Sequence, residues 1–142
     1  MFRISQYMEE IAHPTPLGPK RNPPGPVVIW NLIRRCNLTC KHCYSISADK
    51  DFPGELSTQE VYGVMDDLKR FRVPVLILSG GEPLLRPDIF DIARRAKGMG
   101  FYVGLSSNGT LIDESNIRRI EETDFDYVGV SLDGIRATHD KF

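Results

Sequence analysis

The chain has 142 residues, room for one domain with a core of its own and too little for two ordinary ones. Hydrophobic residues make up 41% and charged residues 26%, and the formal net charge is −1 with no long basic run. That balance is ordinary for a globular protein, argues against a nucleic-acid partner, and leaves no apolar run near membrane-spanning length, so no membrane partner is expected either.

The opening residues, MFRISQYMEEIAHPTP, carry Glu9 and Glu10 and no apolar stretch of signal-peptide length, so a cytoplasmic, reducing location is expected. Six of the ten prolines fall in HPTPLGPKRNPPGP, which makes residues 1–26 an extended proline-rich lead-in. VVIWNLI (27–33) is a continuous apolar run of strand length, with Trp30 expected in the core. STQEVYGVMDDLKRF (57–71) opens with a capping box, Ser57 and Glu60, and repeats Val61, Val64, Met65 and Leu68 at helical spacing. VPVLILS (73–79) is a second buried-type strand. DIFDIARRAK (88–97) follows Pro87 and sets Ile89, Ile92, Ala93 and Ala96 on one helical face. FYVGLSS (101–107) is a third strand, a shorter helix is expected from about Asp113, and YVGVSL (127–132) is a fourth strand.

Strands alternating with helices predict an α/β fold, a parallel sheet of about four strands covered by helices. Such sheets put their chemistry in the loops that leave the carboxyl ends of the strands. Here those loops begin RRCNLTCKHC, GGEPLLR, SNGTLID and DGIRATHD, and they hold the distinctive residues of the chain.

All three cysteines, Cys36, Cys40 and Cys43, sit in the first of these loops at C-x-x-x-C-x-x-C spacing. A four-iron cluster usually takes four thiolates, and three leave one iron open to a small ligand. A zinc site would need a fourth ligand from His13, His42 or His139, and His42 stands beside Cys43, awkward for closing the same tetrahedron. A disulfide fits poorly with a reducing compartment. Three unrelated core cysteines fit poorly with a loop that also holds Arg34, Arg35, Asn37 and Lys41, basic groups that either offset a cluster's charge or are simply solvated.

That cysteine pattern after the first strand of a βα barrel resembles the radical S-adenosylmethionine (SAM) enzymes. The resemblance implies a 4Fe–4S cluster on Cys36, Cys40 and Cys43, with the open iron chelated by the amino and carboxylate groups of SAM. It further implies an electron donor such as flavodoxin or ferredoxin, and reductive cleavage of SAM to a deoxyadenosyl radical that takes hydrogen from the substrate. GGEP (80–83) resembles the family's SAM loop, with Gly80 and Gly81 admitting the ligand and Glu82 accepting from the methionine ammonium; the plain alternative is a strand-to-loop turn. By the same resemblance Ser106, Ser107 and Asn108 of SSNGT lie on the ribose side, although Asn-Gly is also a strong turn dipeptide. Ser131 of SLDG carries over as a SAM contact, while Asp133 serves the contact or only the turn. His42 takes the place of the aromatic ring that relatives set beside the adenine; otherwise it is a solvated loop histidine.

GPVVIWNLIRRCNLTCKHCY, LILSGGEPLLRPD and LSSNGTLID together resemble the haem-modifying branch of the family, its haem d1 members in particular. This implies a tetrapyrrole substrate and removal of propionate side chains from didecarboxysirohaem. Decarboxylation in alternative haem synthesis and peptide maturation are the rival activities, and a truncated, non-catalytic SAM- or metal-binding module is the rival of another class. Arg34, Arg35 and Arg86 are candidate partners for substrate carboxylates, and no substrate-side catalytic residue is assigned. The family barrel has six strands, so residues 27–142 are expected to be the N-terminal portion of a partial (βα)6 barrel that stops after its fourth strand. Alone, such a piece is expected to be poorly soluble and not competent for turnover.

Overall fold

The structure, a computed structural model, describes residues 11–13 and 25–139, so most of the expected proline-rich segment (1–26) lies outside the described residues. The apolar runs become strands because each can bury its side chains against helices on the face they share. They are β1 (Val27–Ile33), β2 (Val75–Gly80), β3 (Tyr102–Ser107) and β4 (Tyr127–Val130). All neighbours pair in parallel and the sheet order is β1-β2-β3-β4, so β4 is an edge strand, as sequential βα units require. Between the strands run α1 (Thr58–Arg70), α2 (Ile89–Gly98) and α3 (Ile117–Thr123). A 3₁₀ turn (Pro83–Leu85) follows β2, and a short α4 (Arg136–His139) follows β4.

The capping box opens α1. The Ser57 hydroxyl accepts from the Glu60 amide, and the Glu60 carboxylate accepts from the Ser57 amide at 2.8 Å. Val61 and Met65, four apart, are then fully buried. On α2 the apolar face is Ile89, Phe90, Ile92, Ala93 and Ala96, one position wider than the periodicity predicts. These side chains meet Leu32, Leu76, Leu78 and Val103 from the sheet, with Trp30 packed against the cluster as expected. Each fully buried Leu, Ile or Met contributes about 1.5–3 kcal/mol, so this single layer of contacts holds the sheet.

Several boundaries differ from expectation, and β2, expected from Val73, begins at Val75. A helical turn begins near Asp113, the Ile117 amide donating to the Asp113 carbonyl at 2.9 Å, but the regular helix starts only at Ile117. The Asp113 carboxylate accepts from the Ser115 amide and the Asn116 side chain accepts from the Asp113 amide, the pattern of a helix cap. The fourth strand ends at Val130, although the Ser131 amide still donates to the Ser107 carbonyl at 3.0 Å. The opposite sheet face carries Ile29, 66% exposed, and Val27, 48% exposed; among the described residues no helix covers it.

Candidate functional site

The strand register determines what meets at the carboxyl edge. Ile33 stands opposite Gly80, and Ser107 opposite Val130, so all four strands deliver their following loops to one level. A cavity of about 310 Å³ opens there, at the small end of the range for small-molecule sites, about 300–1,000 Å³. Cys36, Cys40, His42 and Cys43 line it from the first loop, Gly80 and Gly81 from the second, Ser106, Ser107 and Asn108 from the third, and Ser131 with Asp133 from the fourth. Of the cluster and SAM residues expected from sequence, Glu82 alone does not line it.

All three cysteines are free thiols; Cys36 is buried and the other two half-buried. The Cys36 amide donates to the Ala48 carbonyl at 3.1 Å and the Cys43 amide to the Cys40 carbonyl at 3.2 Å, so the loop has an ordered backbone before any ligand enters. Among the described residues, no three His, Cys, Asp or Glu side chains converge tightly enough to share one metal ion. A zinc ion would demand that convergence, holding its thiolates at about 2.3 Å. A cubane instead gives each thiolate its own iron. Three thiols spread round one cavity, with no fourth cysteine in the chain, fit such a cluster with one iron left open.

Their electrostatics are unequal. The Cys43 thiol is lowered to about 7, chiefly because the Ser45 hydroxyl bonds its sulfur at 3.4 Å, with help from Ser47. Burial pushes the Cys40 thiol up, and negative charge on Cys36 and Cys43 adds to the rise. Three adjacent thiolates oppose one another, and a bound cationic metal centre relieves that opposition. His42 Nε2 lies 3.3 Å from one Asp133 oxygen and His139 Nδ1 lies 3.6 Å from the other, so Asp133 ties the cysteine loop to the segment after β4. The turn role left open for Asp133 thus becomes a bridge across the cavity mouth.

The second loop also packs closely on the end of β1. A Cβ on Gly80 would stand 2.3 Å from the Ile33 carbonyl oxygen, and Gly80 has φ +149°. One on Gly81 would stand 2.4 Å from the Arg35 oxygen. The close approach that glycine permits is therefore to the end of β1. There Gly81 N–H donates to the Ile33 carbonyl at 2.7 Å and Glu82 N–H to the Arg35 carbonyl at 2.9 Å. Glu82 is 0% exposed. Its Oε1 accepts from the Ser107 hydroxyl at 2.9 Å and the Leu84 amide at 3.0 Å, and its Oε2 from the Asn108 amide at 2.8 Å. Glu82 thereby joins the second loop to the third beneath the cavity. The Ser107 hydroxyl also accepts from the Gly109 amide at 2.9 Å, and half-buried Ser106 lines the cavity beside it.

The arginines proposed as carboxylate partners are occupied within the fold. The Arg34 guanidinium lies 4.2 Å over the Phe52 ring. Arg35 pairs with Asp49 at 3.0 Å and Asp51 at 3.3 Å. Arg86 is buried, forks onto Asp88, and donates to the carbonyls of Leu32 at 3.1 Å and Leu56 at 2.9 Å. Arg35 and Arg86 are thus held by carboxylates and carbonyls of the fold, and Arg34 by an aromatic ring of its own loop. Ser45, which bonds the Cys43 sulfur, has no sequence signal beyond standing two residues after that cysteine.

The pattern of the radical SAM superfamily matches residues 30–142. The chain belongs to this superfamily. Its relatives there include the Pre-heme d1 synthase of Dinoroseobacter shibae, 56% identical over 142 residues, which are 100% of this chain and 35% of that protein. The Fe-coproporphyrin III synthase of Methanosarcina barkeri is 50% identical over 117 residues, covering 82% of this chain and 29% of that one. The chain thus spans about a third of the length of the radical SAM relatives it matches. Among solved structures, SuiB of Streptococcus suis bound to S-adenosylmethionine superposes with a TM-score of 0.65 at 19% identity, covering 80% of this chain and 26% of that one. That likeness supports the radical SAM fold, four parallel strands with covering helices. Among the described residues no helix is long and apolar enough to cross a membrane.

Proposed function

We propose that this chain supplies the cluster-binding and SAM-binding portion of a radical SAM enzyme acting on a tetrapyrrole. The observation that carries the reading is the single cavity at the carboxyl ends of four parallel strands, lined by three free cysteines and by Gly81, Ser106 and Ser131 from the other loops. Residues 27–142 are read as the N-terminal portion of the barrel. The cluster, when bound, supplies an electron that cleaves SAM to methionine and a deoxyadenosyl radical. Cys36, Cys40 and Cys43 would hold it as thiolates, and three ligands would leave one iron free to take SAM. Ser106 and Ser131 offer hydroxyls to the nucleoside side, and His42, steadied by Asp133, supplies a flat ring for the adenine. Buried Glu82 braces the second loop, which carries Gly81, against the third, which carries Ser106.

The finer reading is propionate removal from didecarboxysirohaem on the way to haem d1, supported by the 56% identity to Pre-heme d1 synthase. Decarboxylation of a related tetrapyrrole is the second reading, supported by the 50% identity to Fe-coproporphyrin III synthase. A flavodoxin or ferredoxin is the proposed electron source. The test is anaerobic reconstitution of the full chain with iron and sulfide, followed by electron paramagnetic resonance with and without SAM. A reduced-cluster signal that changes on adding SAM is expected; bound zinc and no signal would leave a non-catalytic metal-binding module. Mass spectrometry after incubation with didecarboxysirohaem, SAM and reductant then reads propionate loss directly, and turnover of an iron coproporphyrin instead would favour the second reading.

A further inference from the structure

The loop after β3 holds a ring of hydrogen bonds that closes on the cysteine loop. Its orientation follows from one donor that cannot be reversed. The Thr110 backbone N–H donates at 2.9 Å to the Asn108 side chain, so the atom facing it is the oxygen, Oδ1. Asn108 Nδ2 therefore faces the other way and donates to Asn37 Oδ1 at 3.0 Å. This fixes the Asn37 amide in turn, and its Nδ2 donates to Thr110 Oγ1 at 2.8 Å. The Thr110 hydroxyl proton then goes to Asn108 Oδ1, at 2.7 Å. Three side chains from two loops thus donate head to tail, an arrangement in which each bond polarises the next.

Asn108 Nδ2 carries two protons. One is used in the ring, and the other is aimed at Cys36 Sγ, 3.7 Å away. Asn37 is the residue next to Cys36, so the ring holds the backbone beside the sulfur as well as the group that bonds it. The Leu38 amide adds a second donor to the same sulfur at 3.4 Å. The Asn108 amide has no proton left for a ribose, and its oxygen already accepts twice, which turns the residue from the nucleoside toward the cluster.

We propose that Asn108 tunes the iron–sulfur cluster through an N–H···S bond to Cys36, and that Asn37 and Thr110 are positioning residues that keep it aimed. The proposal rests on the cluster reading given above. A donor to a ligand sulfur withdraws charge from it and stabilises the reduced cluster, so the bond raises the reduction potential. It also holds the Cys36 sulfur in place against loss of iron.

The test is a redox titration of the full chain, reconstituted anaerobically and followed by electron paramagnetic resonance, with iron release to a chelator as a second reading. Iron and sulfide content of the wild-type protein is measured first; their absence would overturn the cluster reading, and this proposal with it, before any variant is compared. With the cluster present, Asn108→Ala is expected to move the midpoint to more negative potential and to speed iron release several-fold. Thr110→Val opens the ring but keeps the donor, so a smaller shift in the same direction is expected. An Asn108→Ala protein with wild-type iron content and an unchanged midpoint would overturn the proposal alone. Should Asn108→Ala fail to hold a cluster, Thr110→Val decides, and wild-type midpoint and release rate in that variant would refute the role of the ring.

Discussion

Replacing Glu82 with alanine should cost the protein stability before it costs SAM binding. The carboxylate is 0% exposed and accepts from three donors, the Ser107 hydroxyl, the Leu84 amide and the Asn108 amide. Alanine leaves all three without a partner in a space that water does not reach. A buried donor stranded this way costs about 1–3 kcal/mol, and three are stranded, so at least about 3–5 kcal/mol is expected. Against a total stability of about 5–15 kcal/mol that is a large fraction. With a urea slope near 2 kcal/mol per molar, the midpoint should fall by about 2 M. Circular dichroism of the metal-free full chain in urea is the assay. Glu82→Gln keeps one acceptor oxygen and should lose about half as much, and Ser107→Ala, which strands only the Gly109 amide, less again. An Ala variant within about 1 kcal/mol of wild type would show that the three donors find other partners, and the loop-joining role of Glu82 would fail. If the loss is as large as expected, weakened SAM binding in that variant cannot be assigned to a missing ammonium contact.

Arg86→Lys should destabilise by about 2–4 kcal/mol, because an ammonium cannot fork onto Asp88 and also reach two carbonyls; equal urea midpoints would refute it. For Asp88 itself, burial opposes ionisation but is outweighed by hydrogen bonds from Arg86 and Thr58, so its carboxyl titrates below the usual range. The stability it contributes is fully present above the unfolded value of about 3.9 and is lost as pH falls through the folded value, so Asp88→Asn should flatten the acid-unfolding profile below about pH 4. An unchanged slope would count against the pairing. Gly81→Ala places a Cβ 2.4 Å from a backbone oxygen of β1, and should lower the thermal unfolding temperature and shift the 80–82 loop; a temperature unchanged from wild type would mean the backbones can part freely. The 142-residue chain by itself should self-associate on size-exclusion chromatography, since β4 presents an unpaired edge beside Val128, 40% exposed, and Val130, 48% exposed. A monomer at tens of micromolar would refute this, and Val130→Lys should shift the equilibrium toward one.

The elements were legible because their signals are local. A seven-residue apolar run is β1 to the residue, and a Ser57–Glu60 pair four residues long fixes the start of α1. Strand–helix alternation then sends every following loop to one edge, which is why ten of the eleven expected site residues line one cavity. Boundaries are the weaker signal: Asp113 caps a first turn, yet the regular helix starts only at Ile117.

The wiring inside the edge was not legible, because it depends on register between strands that are far apart in sequence. The glycines of the second loop look built for a ligand, and the pairing of Ile33 with Gly80 adds a second demand on them, since a Cβ at either would meet a carbonyl at or just after the end of β1. Arg86 is a charged loop residue, for which exposure is the ordinary expectation. Its partners, the carbonyls of Leu32 and Leu56, are fixed in place only once β1 and α1 have docked on the same side of β2, and only then does burial satisfy the guanidinium better than water does. Asn37 and Thr110 stand 73 positions apart, and no spacing rule connects them. A slip of one residue between β2 and β3 would turn Asn108 to the other face and open the ring. Sequence therefore names the residues that arrive at the edge, while the register decides which of them are left facing the cavity and which are consumed in holding the others there.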